Sequence, residues 1–116
     1  MQNLLQLLAS WETVAASPDF SGCLIGNSVA DIGVRDPEMA QVFQRKFKLM
    51  EDALFRALKR AQHDGELSPT LDLRGTSRSL LALAQGLSVL ARVQASRAMA
   101  ASVVASARAL LGRPLQ

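Results

Sequence analysis

The sequence predicts an all-α protein of about five helices, the last two forming an intermolecular four-helix bundle in a homodimer. Three observations carry this expectation. Hydrophobic residues make up 49% of the chain, yet aromatics are only 4% and tyrosine is absent. Ala and Leu therefore supply most of the apolar mass, and both are strong helix formers. Apolar positions recur at spacings of three and four, the period of one helix face. The breaks between these runs carry helix-cap and helix-stop residues. At 116 residues the chain suits a single domain, residues 1–116, large enough to bury a core.

The first helix is expected over Met1 to Ala16, with Leu4, Leu5, Leu8, Trp11 and Ala15 near one side. Ser17-Pro18 ends it, because the residue before proline disfavours helix. In "PDFSGCLIGNSVADIG" a short second helix runs from Gly22 to Ile32, with Ser21 as a cap and Gly33 as a terminator. The third helix is announced by Asp36 as cap and Pro37 at the first helical position, where the missing N–H costs nothing. It runs to about Asp64 with Gly65 at its end, some ~40 Å at 1.5 Å per residue. Phe43, Phe47, Met50, Leu54, Leu58 and Ala61 form one stripe along it. Phe55 departs from that stripe and falls among charges. It is either a surface phenylalanine or packs against something outside this chain. After the break "GELSPTLDL", Asp72 caps a fourth helix reaching about Gln94, and Ser96 caps a fifth from Arg97 to Leu111, ended by Gly112 and Pro114.

The fourth helix, "SLLALAQGLSVLARV", is apolar nearly all round: Leu80, Leu83, Leu87 and Leu90 face one way, Ala82, Gly86, Val89 and Val93 another. A helix of this kind must be covered on every side, and a domain of this size has little room for that. The fifth helix has small residues along one side: Ala100, Val103 or Val104, Ala107, then Leu111. Small residues let helix axes approach closely. The economical solution is a second copy of the chain. Its interface is expected at Ala82, Gly86, Val89, Val93, Ala100, Val104, Ala107 and Leu111, as a bundle about a twofold axis.

Composition narrows the function classes. The longest apolar run, Leu80 to Ala91, is interrupted by Gln85, Gly86 and Ser88 and falls short of the ~20 residues of a membrane span. No basic segment follows Met1, so no signal peptide is expected. A lone Cys23 excludes an internal disulfide and fits a reducing compartment. A cytoplasmic location follows as the expectation. All ten acids lie between Glu12 and Asp72, and six arginines follow without an acid. These arginines are single rather than clustered, which suits rim charges paired with a neighbouring helix better than a nucleic-acid surface.

Chemistry-bearing patterns are sparse. Gly22 and Gly26 stand four apart, but no preceding strand, G-x-G-x-x-G or Gly-Lys-Ser/Thr accompanies them, so close helix packing is the favoured reading. Cys23 has apolar neighbours and no adjacent His or Lys, which suits a small core residue more than a reactive thiol. His63 has no second ligand at metal spacing and suits the end of a helix. No nucleophile–base set carries a signature, and neither enzyme, metal nor cofactor is expected. Asn27, Ser28 and Gln85 are polar within apolar helices, either as pocket contacts or as packing residues. The candidate ligand-binding set, taken from helix faces, is Leu8, Trp11, Asn27, Phe47, Met50, Leu54 and Leu87.

"FSGCLIGNSVADIG", "DPEMAQVFQRKFKLMEDALFRALKRAQHDGEL" and "SLLALAQGLSVLARVQAS" together resemble the C-terminal ligand-binding and dimerisation domain of TetR-type transcriptional regulators. The matching features are Gly-Cys-Leu at a helix start, an Asp-Pro-Glu cap, a long charged helix ending in Gly-Glu-Leu, and Leu-x-x-x-Gln-Gly-Leu in a later helix. The resemblance covers about Phe20 to Leu111. It implies a homodimer built on the last two helices, a small-molecule pocket, and an N-terminal helix-turn-helix domain reading operator DNA. That DNA-reading segment does not occur in this chain, which is therefore expected not to bind operator DNA alone. The implied function is that of an effector-sensing repressor domain, with an effector of largely apolar character and no membrane partner. A helical homodimer with a solid core and no ligand is the competing expectation.

Overall fold

A computed structural model describes residues 1–15, 35–93 and 97–112. Among these residues the structure is helical without strands: α1 (Gln2–Ala15), α2 (Pro37–His63), α3 (Leu73–Val93) and α4 (Arg97–Leu110). The expected helix at residues 22–32 lies outside the described residues, as do Ser96 and Pro114.

The cap chemistry explains where the helices begin and end. Asp36 holds an extended backbone, and its carboxylate accepts from the Glu38 and Met39 N–H groups at 3.0 and 3.2 Å. Pro37 has no N–H, so two of the three donors that this helix start leaves unpaired are thereby satisfied. At the other end, Gly65 sits at φ +78°, where a side chain would be strained. Its N–H donates to Gln62 O and the Glu66 N–H to Ala61 O, a Schellman closure. The closure drops Leu67 into the core with no exposure. Gln62 then ties the following turn down, its Nε2 donating to Ser68 O at 2.9 Å. At the start of α3, Asp72 accepts from the Gly75 N–H at 3.0 Å. A Cβ at position 75 would collide with that carboxylate.

Packing follows two partnerships, α1 chiefly with α4 and α2 with α3. One buried cluster joins all four helices through Leu4, Leu8, Leu58, Ala61, Leu80 and Val104. A smaller cluster of Leu87, Ala91 and Ala100 lies against Trp11 and Val103. Two buried hydroxyl residues, Thr76 and Ser77, sit on the inner face of α3. Ser77 avoids an unpaired group by donating from Oγ to Leu73 O at 2.7 Å.

The structure corrects two readings of the helix faces. Ala100, Val104, Ala107 and Leu111, expected at an interface between chains, are buried inside this chain. Their small side chains bring α4 close to its own neighbour α1. Within the single chain α3 is covered on one side: Leu80, Leu87 and Ala91 are buried, whereas Val89 and Leu90 are 50% and 53% exposed. Phe55 packs within the chain after all, with the Arg74 guanidinium 4.0 Å above its ring centre. No helix among the described residues is long and apolar enough to cross a membrane.

Candidate functional site

A cleft of about 540 Å³ opens where α1 faces α2 and α3. Each wall is one helical stripe. Asn3, Leu4, Leu7 and Trp11 come from α1; Met50, Ala53, Leu54 and Ala57 from α2; Leu81, Ala84 and Gln85 from α3. The spacings of three and four put each set on one face of its helix. The cleft exists because α1 commits its closest packing to α4, leaving its other flank apart from α2. Three alanines, Ala53, Ala57 and Ala84, keep the space between the larger side chains open. Its volume falls in the range of small-molecule sites, roughly 300–1,000 Å³.

The cleft is lined by apolar groups with two amides. Among the described residues that line it, none carries a charge. Nearby charges are engaged elsewhere. Glu51 and Asp52 are adjacent in sequence to Met50 and Ala53, but 100° per residue carries them off the cleft face. There Arg74 donates from Nη1 to Glu51 Oε2 and Asp52 Oδ1, both at 2.8 Å. Arg78 reaches Glu51 at 3.3 Å and Lys48 reaches Asp52 at 2.7 Å. This clasp binds α2 to α3. Desolvation pushes the Glu51 carboxyl up, but Arg74, Arg78 and Lys48 outweigh it and hold it below its ordinary value. The Asp52 carboxyl is lowered by hydrogen bonds from Lys48 and Arg74. Arg74 is raised in turn by Asp52 and Glu51.

A smaller polar pocket of about 410 Å³ adjoins the cleft, sharing Asn3, Leu4 and Ala57. It carries Arg60, Asp64 and Glu66, and the Met1 amine lies 3.4 Å from Glu66 Oε1. Among the described residues no group of three His, Cys, Asp or Glu could hold a metal ion.

Of the candidate ligand-binding residues, the structure brings Trp11, Met50 and Leu54 together on the cleft. Leu8 and Leu87, at 1% and 3% exposure, belong to the packed core instead. Phe47 is half-buried but is not among the cleft's lining residues. Asn27 lies outside the described residues. Asn3, Leu7, Ala53, Ala57, Leu81 and Ala84 also line the cleft, outside the set expected from helix faces. The alanines carried a usable signal, because small residues flanking a large apolar stripe mark where neighbouring side chains leave room. Of the interface candidates, Ala82, Gly86 and Val89 are exposed along α3. The side chain of Val93 is outside the described set.

Two regulators named in bacteria are similar in sequence. The uncharacterized HTH-type transcriptional regulator YezE of Bacillus subtilis is 36% identical over 74 residues, 63% of this chain and 38% of that protein. The HTH-type transcriptional regulator UidR of Escherichia coli K12 is 35% identical over 81 residues, 69% of this chain and 40% of that protein. The chain thus matches about two-fifths of the length of these relatives. No solved structure matches it. The model of the tetracyclin repressor-like C-terminal domain matches residues 1–107, nearly the whole sequence. By that match, and by the helical frame that carries it, the chain belongs to the tetracyclin repressor-like C-terminal domain family.

Proposed function

We propose that this domain is the effector-sensing and dimerisation part of a TetR-like transcriptional repressor. A small, largely apolar ligand enters the cleft between α1, α2 and α3, and the intact regulator releases operator DNA in response. The cleft itself carries the reading: a solid-core interaction module would have no use for about 540 Å³ of apolar space walled by Trp11, Met50 and Leu54. Its position suits coupling. A ligand there contacts α1 on one side and the clasped α2–α3 pair on the other, so it can favour one separation of the two over another. Such differential contact is what shifts a two-state equilibrium. A homodimer assembled on the exposed side of α3, around Ala82, Gly86 and Val89, would transmit the shift to the spacing of two DNA-reading heads.

Two measurements test the reading. Sedimentation of the chain at micromolar concentration is expected to give a dimer, and a monomer defeats the assembly part. In the intact regulator, a ligand that shifts Trp11 emission is expected to lower affinity for labelled operator DNA, read by anisotropy. Unchanged operator affinity at saturation defeats the sensing part.

A further inference from the structure

We propose that the cleft selects an uncharged effector, with an apolar body about 12 Å long and a polar end carrying a carbonyl, amide or hydroxyl group. The inference rests on the cleft being the effector site, and goes beyond it to the chemistry of the molecule it takes.

The length comes from α1. Asn3 and Trp11 are eight residues apart, which at 1.5 Å per residue is about 12 Å of wall. The charge comes from what the walls can and cannot offer. An ion moved from water into an apolar site must recover its lost solvation from a counter-charge or from several hydrogen bonds. Among its described residues the cleft supplies no counter-charge, its lining being Leu, Ala, Met and Trp side chains with two side-chain amides. The charges next in sequence, Glu51 and Asp52, are bound to Arg74, Arg78 and Lys48 on another face of α2. The adjoining polar pocket does not alter the selection. Arg60 stands there with Asp64 and Glu66, so it holds both signs and no uncompensated cation. An amide, by contrast, both donates and accepts. The Asn3 amide, on the lining of the cleft, therefore matches a neutral polar group without regard to sign.

Three probes of nearly equal shape separate the possibilities at pH 7: cyclohexanebutyramide, the anion cyclohexanebutyrate and the cation 4-cyclohexylbutylammonium. None absorbs where tryptophan is excited, and Trp11 is the sole tryptophan of the chain, so its emission reports occupancy. The amide is expected to bind saturably, with both ions at least tenfold weaker. Ala53→Phe, checked for folding by circular dichroism, is expected to lose the amide. Equal or tighter binding of either ion overturns the charge selection while leaving the cleft as a binding site. Absence of binding by all three probes at millimolar concentration overturns both. So does amide binding that Ala53→Phe leaves untouched.

Discussion

Asp36 shows how one side chain sets the start of a 27-residue helix. Its carboxylate takes up two N–H groups that no helix carbonyl can reach. Removing it leaves those donors to water alone, so Asp36→Ala is expected to lower stability by about 1 kcal/mol. A drop in the urea midpoint without a change in slope would record it; no shift would mean the cap is idle. Leu58 works differently, through volume. It has no exposure and touches the cluster that joins all four helices. Leu58→Ala is expected to cost about 2–5 kcal/mol, the usual range for a cavity that cannot collapse. Both residues were legible in the sequence, the cap from Asp-Pro and the leucine from its stripe. Trp11 was less so: periodicity marks it as inward-facing, but inward positions include both core and cleft.

Among the elements, α4 and the α2–α3 clasp make the clearest claims. The small stripe of α4 faces its own chain, so Ala107→Leu is expected to destabilise the fold by about 1–3 kcal/mol through overpacking. If the stripe were an outer surface, the same change would leave the melting temperature of a diluted sample unmoved. The clasp is electrostatic and carries a pH signature. The Glu51 and Asp52 carboxyls are both lowered in the folded chain. A carboxylate with a depressed folded value contributes stability that is present above its unfolded pKa, about 4. That contribution is lost as pH falls through the lower folded value. The stability difference between the wild type and Glu51→Gln should therefore hold at neutral pH and shrink in that acid window. Raising the salt concentration should narrow it as well. A pH-independent difference would contradict the assignment. The single arginines of the second half suggested such pairing in advance. Which acid each would meet depended on the register of α2 against α3, which no local pattern carries.

For the whole molecule, the decisive feature is the uneven packing of α1. It is held by α4 along one flank and left apart from α2 along the other, and the cleft is the result. The exposed flank of α3 belongs to the same scale. Val89 is half exposed in the single chain, so Val89→Glu should leave the helical fold intact. Our proposed assembly predicts that it weakens dimerisation by at least about tenfold, or 1.4 kcal/mol. Sedimentation equilibrium checks this, and an unchanged dimer would move the interface elsewhere.

By itself the sequence determined the four described helices and the caps at Asp36, Gly65 and Asp72, because caps, proline positions and apolar period act within a few residues of one another. It also determined the family resemblance, since the order of those local signals survives along the chain. The tertiary structure alone decided what each apolar face meets. Ala100, Val104 and Ala107 went to the core, Val89 and Leu90 to the surface, and Ala53, Ala57 and Ala84 to the walls of a cleft. An apolar side chain gains by leaving water whether it meets its own chain, a second copy or a ligand. Only the arrangement of the neighbouring helices distinguishes the three.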